Sequence, residues 1–245
     1  DSFYENKFGT VGIKSGATEV IEVTTYRLEE KYTDKRHPDK VQFTASLEED
    51  LKRRDFTINA MAMASKGEIT DLFNGQDDLK NKLIRAVGEP EDRFNEDALR
   101  MMRAARLATE LNFKIEDKTF QAIVDKARDI DLIAKERVRD EFIKIIDTKN
   151  AHDGVLVLQK CGLLEVILPE LAAGIGVGQN KHHIYTVFEH NLLSLKWGAE
   201  HDYPFHVKLA ALLHDVGKTQ TKRGEGPDST FNGHQIVGAK ITSRI

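Results

Sequence analysis

Cysteine is nearly absent: Cys161 is the only one in 245 residues. That excludes an intramolecular disulfide and a zinc site built from four thiolates, and it fits a reducing, cytosolic compartment. Positive charge is not in surplus either. Lys plus Arg number 36 against 40 Asp plus Glu, a formal net charge of −4. A global basic field that would draw in nucleic acid is therefore excluded, while a local basic face stays open. No apolar run approaches the ~18 residues of a membrane span, and the opening stretch DSFYENKFGTV holds no apolar signal core, so no membrane partner is expected. Repeats and low-complexity tracts are missing too. What remains is 40% hydrophobic and 31% charged, too apolar for a disordered chain and long enough for one large domain or two to three small ones.

The first sixty residues are rich in β-branched residues and partly alternate. Phe8–Ile13 and Thr18–Tyr26 are predicted strands, with Ser15-Gly16 as the turn of a hairpin. Residues 27–46 are charged, aperiodic and carry Pro38, which predicts a mobile loop. Ser46-Leu-Glu-Glu49 has the form of a capping box, so a helix is expected to start there and to carry Arg53, Arg54 and Asn59. Ile69–Phe73 reads as a short strand closed by Asn74-Gly75. From about residue 90 the period becomes helical, through Leu99, Met102, Ala105 and Leu107, then Val138, Phe142 and Ile145. Pro169 and the GIGVG of 174–178 predict a joint, with apolar helices near 184–198 and 206–216 beyond it. The predicted layout is a small mixed α/β front followed by an all-helical body, an α+β chain.

Several side-chain groups could carry chemistry. Arg53 and Arg54 beside Asp55 can clamp a polyphosphate through guanidinium forks, or form a solvated helix face. Asp55 and Asn59, four apart, share a helix face and could orient a sugar hydroxyl. Glu22 is either the solvent side of an edge strand or a hard oxygen ligand for Mg2+. Asp97 and Arg100 sit three apart on an expected helix. An aspartate accepts from an exocyclic amine and an arginine donates to a ring acceptor, so the pair could select cytosine and adenine over guanine and uracil; a surface ion pair is the plain alternative. Arg100, Arg103 and Arg106 give a basic stripe suited to an RNA backbone, or to solvent. His190, His214-Asp215 and His234 fall on helical segments and could ligate a transition metal, with Lys218 one turn on to neutralise a phosphate.

These residues resemble a known series. Ile21-Glu-Val-Thr-Thr-Tyr-Arg27, Leu51-Lys-Arg-Arg-Asp-Phe-Thr-Ile-Asn-Ala-Met-Ala62, Asp71-Leu-Phe-Asn-Gly75 and Glu96-Asp-Ala-Leu-Arg100 are similar, in order, to motifs of the class II tRNA nucleotidyltransferases and bacterial poly(A) polymerases. The His-Asp part resembles the HD domain that some members carry. The resemblance implies a polymerase-β-like head at 1–88, a helical neck and RNA-binding body at 89–172, and an HD domain at 173–245. It implies that Glu22 is a catalytic carboxylate for Mg2+ and that Arg53, Arg54 and Asp55, with Asn59 close by, hold triphosphate and ribose. Asp71 and Gly75 would belong to a hinge, and Asp97 and Arg100 would be the protein template for the incoming base. Lys135-Glu-Arg-Val-Arg139 matches a neck motif, which adds Arg137 and Arg139 to Arg103 and Arg106 as RNA-facing residues. His190, His214 and Asp215, and more loosely His234, match positions that hold a divalent transition metal for phosphate-ester hydrolysis. The family's Gly-Gly turn and Asp-x-Asp metal pair are not among these residues; either the series continues upstream, which fits the otherwise intact motifs best, or the activity has been lost, and the HD part is expected to continue beyond Ile245. The function implied is addition of C and A from CTP and ATP to the 3′ end of tRNA, with no DNA partner. The rivals are a poly(A) polymerase, a CC- or A-adding specialist, an HD-type phosphohydrolase, and an RNA-binding protein with both sites inactive.

Overall fold

The computed structural model describes residues 2–5, 9–15, 19–30, 40–180 and 183–245, and they form two compact units. The first comprises residues 1–81 and 85–97; the second comprises 82–84 and 98–245.

The first unit opens on an antiparallel sheet, β1 (Ser2–Glu5), β2 (Thr10–Ser15) and β3 (Glu19–Thr24), in that order. The β2–β3 hairpin follows the predicted pairing, with Gly12 opposite Glu22; its turn lies outside the described residues. The charged stretch expected to be a loop carries a strand at each end instead. β4 (Arg27–Glu30) pairs antiparallel with β5 (Lys40–Phe43), and residues 31–39 between them lie outside the described residues. Cross-strand pairing, which needs no strict alternation, outweighs the charge of the segment.

Helix α1 (Leu47–Lys52) starts at Ser46, whose hydroxyl accepts the Glu49 N–H at 3.3 Å. The reciprocal half of the expected box is replaced, because the Thr44 hydroxyl donates to the Glu49 carboxylate at 2.7 Å. The helix stops sooner than expected: Arg53 is its C-cap, and Thr57–Asn59 form a separate 3-10 turn. The cause is tertiary. Thr57 N–H donates to Arg85 C=O and Val87 N–H to Asp55 C=O, pulling 55–57 into an extended path against 85–87. Leu51, Phe56, Ala86, Val87 and Phe94 close the core beneath. β6 (Met61–Met63) and β7 (Ile69–Asp71) form a hairpin, followed by α2 (Gly75–Asn81) and α3 (Pro90–Glu96).

In the second unit, β8 (Leu83–Ile84) pairs in parallel with β9 (Lys114–Ile115) at the foot of α4 (Leu99–Leu111). Helices α5 (Asp117–Lys126), α6 (Lys135–Asp147), α7 (Ala151–Lys160), α8 (Leu163–Ile167) and α9 (Pro169–Ala172) follow. Then come α10 (Val187–Glu200), α11 (Phe205–Leu213), α12 (Lys218–Thr221) and α13 (His234–Thr242). α4 packs on α6 and α7, burying Met101, Met102, Ala105, Ile145, Ile146 and Leu158. The crossing is tight at Gly154, where a β-carbon would lie 2.5 Å from Ile145 and 2.7 Å from Thr109. α10 packs on α7 and α11, and α11 on α6, so the later helices share the same core. Lys208 of α11 is buried and donates to the Asp147 carbonyl at 2.9 Å, a cation on the C-terminal end of α6. Among the described residues, no helix is long and apolar enough to cross a membrane.

Candidate functional site

In the first unit a residue that the sequence analysis did not single out organises the arginines. Asp50 is 1% exposed and sits three and four positions before Arg53 and Arg54. Its Oδ1 accepts Arg53 Nε at 3.0 Å and Nη2 at 2.6 Å, and its Oδ2 accepts Arg54 Nη2 at 3.2 Å. The Arg27 N–H adds a third donor to Oδ1, at 3.2 Å, from the start of β4. Burial pushes the Asp50 carboxyl up, but the bonds and charges of Arg53, with Arg27 and Arg54, overcome it and hold it below the usual range. One buried anion thus holds two guanidinium groups by their inner edges. Arg54 stays 40% exposed and is further fixed by donating to the Asn59 carbonyl at 3.0 Å. Two adjacent cations held in this way can bind a polyphosphate without first paying to be ordered.

Asp55 and Asn59 do meet, although no helix joins them: the Asn59 amide donates to Asp55 Oδ1 at 3.3 Å, beside the Phe56 N–H at 2.9 Å. Asp71 and Gly75 also belong together. Asp71 accepts the N–H groups of Phe73, Gly75 and Gln76, which cap the start of α2 and hold its carboxyl low against the opposing effect of burial. Gly75 has no room for a side chain, since a β-carbon would lie 2.3 Å from the Thr57 carbonyl. Asp78, also not singled out, accepts from the Thr57 hydroxyl at 2.7 Å and from Arg85, locking this turn. Glu22 is exposed on the edge strand β3.

The helix expected to carry both Asp97 and Arg100 is broken between them. Asp97 ends α3 in extended backbone (φ −144°, ψ 107°), whereas Arg100 is buried in the first turn of α4. The helical i,i+3 geometry assumed for the pair is therefore replaced by a strand-like residue followed by a new helix. The basic stripe needs correcting as well. Arg106 donates to Glu141 at 2.6 Å and to Glu110 at 2.6 Å, and its guanidinium is 14% exposed. Burial disfavours its charge, but both carboxylates more than restore it. Arg106 therefore joins α4 to α6 instead of facing solvent. Arg103 and Arg137 are half-buried, and Arg139 is exposed beside Asp140.

In the second unit the predicted histidines converge on one carboxylate. Asp215 is 4% exposed. Its Oδ2 lies 3.5 Å from His190 Nε2, 3.3 Å from His214 Nε2 and 2.7 Å from Lys218 Nζ. Its Oδ1 lies 3.5 Å from His234 Nε2. Gly217 makes the arrangement possible. A β-carbon there would lie 2.1 Å from the His234 carbonyl, so only glycine lets the start of α13 close onto the Asp215 turn.

The donor set fits a transition-metal cation. His190 Nε2 and His214 Nε2 are 3.1 Å apart, and with Asp215 Oδ2 they form a triangle of the size expected of ligand atoms around one cation at bonds of about 2.0–2.2 Å. The Nδ1 atoms of His214 and His234 each lie 2.8 Å from a backbone carbonyl, of Ala211 and Phe231. An Nδ1–H donated there leaves the Nε2 lone pair facing Asp215, as in imidazoles that bind metals. Burial and the neighbouring His214 lower the His190 pKa, favouring a neutral ligand. The hydrogen bond to Asp215 raises His214 against its burial. Burial would raise Asp215, but His214 and Lys218 together hold it far below the carboxylate range.

Comparison with known proteins finds three matched regions along the chain. Residues 2–85 match the poly A polymerase head domain, 112–175 a probable RNA- and SrmB-binding region of polymerase A, and 182–245 the HD domain. The chain is 56% identical over 139 residues to a CCA-adding enzyme of Lactobacillus helveticus, covering 57% of this chain and 35% of that protein. It is 52% identical over 151 residues to a CCA-adding enzyme of Enterococcus faecalis, covering 59% and 37%. It therefore spans little more than a third of the length of these relatives. Among solved structures, the Bacillus stearothermophilus CCA-adding enzyme in complex with CTP matches with a TM-score of 0.60 at 33% identity, over 88% of this chain and 45% of that one. A tRNA nucleotidyltransferase complexed with a primer tRNA and an incoming ATP analog matches with a TM-score of 0.62 at 28% identity, over 87% and 59%. The expected polymerase-β-like head, helical body and HD domain are all present.

Proposed function

We propose that this chain, which carries the poly A polymerase head domain, the RNA-binding region that follows it in that family and an HD domain, adds C and A from CTP and ATP to the 3′ end of tRNA. The observation that carries this reading is the Asp50–Arg53–Arg54 assembly, which presents two oriented guanidinium groups beside the Asp55–Asn59 pair. In it, Arg53 and Arg54 hold the triphosphate and Asp55 with Asn59 the ribose, while Asp97 and Arg100 read the base edge. The attacking 3′ hydroxyl displaces pyrophosphate from the α-phosphorus. Asp71 and Gly75 are the hinge of the head, and Arg103, Arg137 and Arg139 face RNA. Nucleotidyl transfer of this kind uses Mg2+ shared with substrate phosphates. Glu22 would offer it one hard oxygen ligand, fewer than a two-metal site requires.

The test is incubation of the full-length protein with tRNA lacking its terminal CCA, with CTP, ATP or both, and Mg2+. Two C followed by one A is the expected product. A run of A alone would replace this reading with poly(A) polymerase or A addition. No incorporation would leave the HD cluster as the working chemistry.

The convergence of three histidines on Asp215 favours a second activity beside the first, hydrolysis of phosphate esters. His190, His214 and Asp215, with His234 adjacent, would hold a divalent transition metal, which would supply Lewis acidity toward a phosphate ester. Lys218 offsets phosphate charge. His214→Ala should abolish phosphate-ester hydrolysis and leave nucleotide addition within about twofold; parallel loss of both would argue against separate sites.

A further inference from the structure

Gln179 lies in the segment between α9 and α10 and is 8% exposed. Both ends of its amide are used. Oε1 accepts from Lys218 Nζ at 2.6 Å, and Nε2 donates to the Tyr185 carbonyl at 3.1 Å with the Thr186 carbonyl at 3.5 Å. These partners fix the amide orientation, since only the oxygen can face an ammonium and only the NH2 can face carbonyls. Thr186 is the N-cap of α10. Its hydroxyl accepts the Glu189 N–H at 3.2 Å, and its own N–H donates to Glu189 at 2.8 Å. His190 follows directly, in the first turn. At the other end, Lys218 is itself buried and also meets Asp215 Oδ2 at 2.7 Å and the face of Phe231, 5.6 Å from the ring centre.

The connections form a closed circuit from the start of α10 through Gln179, Lys218 and Asp215, and back to His190. The two ligand-bearing segments, α10 and the His214–Asp215 turn, are thus tied to each other behind the cluster by one neutral amide and one ammonium.

We propose that Gln179 is a positioning residue of the His190–His214–Asp215 cluster: by tethering Lys218 to the N-terminus of α10, it sets the spacing of His190 from Asp215 and so the affinity for a divalent cation. This rests on the reading of the cluster as a cation site. A residue that holds a ligand in place without touching the metal typically changes affinity by about ten- to a hundredfold. Apolar filling alone would predict no such effect from a side chain of similar volume.

The experiment is Mn2+ and Co2+ titration of the full chain by calorimetry, with far-UV circular dichroism as the check on folding. Gln179→Leu keeps volume and removes both amide functions; it should weaken cation binding at least tenfold with the helical signal unchanged. Gln179→Asn, whose shorter amide cannot span both partners, is the second variant should the first fail to fold, and should weaken binding similarly. In a His190→Ala background, Gln179→Leu should cost nothing further, because its effect runs through His190. Wild-type affinity in the folded Gln179 variants would overturn the proposal, as would an undiminished loss in the His190→Ala background. A wild type that binds neither cation would overturn the cation reading of the cluster and the role of Gln179 with it, a result recognisable because the parent protein fails as well.

Discussion

Asp50 is the residue that holds the first unit's paired arginines in place. The paired arginines were visible in the sequence as a possible phosphate clamp, but the acid ahead of them read as one charge in a run. Nothing in a string distinguishes a buried carboxylate from a solvated one until its neighbours are known, although the three- and four-residue spacing to Arg53 and Arg54 was there to be used. Asp50→Asn leaves two adjacent cations without their anion and should destabilise the first unit by about 1–3 kcal/mol, read by denaturant melts. The pH dependence follows from the lowered carboxyl. The folded-state pKa lies below the unfolded value near 4, so the stabilisation is complete above that value and is lost as pH falls through the folded one. The wild type should therefore show an acid limb below about pH 4 that Asp50→Asn flattens. Cys161 offers a second test. Burial raises its thiol to about 11, and the side chain is 1% exposed. Native protein at pH 8 should leave a thiol reagent unconsumed for hours and react with one equivalent on unfolding; prompt native reaction would contradict the burial.

Helices of the body were legible because their apolar period is strong, as at Met102, Ala105, Val138 and Ile145. Their interruptions were not. The break at Asp97–Ala98 contains neither proline nor glycine, so local propensity gives no warning of it. The strands β4 and β5 were hidden for a related reason, since their charged residues obscure a pairing that only the partner strand completes. Spacing also over-read α4. Three arginines on one face suggested a surface for RNA, yet one of them, Arg106, turns toward α6 and pairs with Glu141. The two roles separate by measurement. Arg106→Ala should cost about 1–3 kcal/mol of stability by taking one cation from the buried Glu141, which keeps Lys144 at 3.1 Å. Arg139→Ala, on an exposed side chain, should leave the melt unchanged within about 0.5 kcal/mol and reduce the slope of log affinity for RNA against log salt by about one. The opposite assignment of effects would restore the stripe.

At the level of the molecule, the order of head, body and HD domain was readable because the motifs resemble, in order, those of a known family; residue chemistry alone left plain alternatives open. The sharing of one core by the later helices was not, since it depends on which faces of α7, α10 and α11 meet. A chain cut after Ala172 should lose cooperative unfolding of residues 98–172 and bind a hydrophobic dye, whereas independent folding of that part would leave its thermal transition intact. Lys208 on the end of α6 is the clearest mark of this union, a buried ammonium of one module capping a helix of the other. Its consequence is historical. Were the histidine cluster to lose every use, discarding the helices bearing it would still uncover the faces of α6 and α7 that pack against them. Descendants of such a chain would inherit the HD-domain scaffold as a structural debt, and the presence of that scaffold in a relative would testify to stability before it testified to activity.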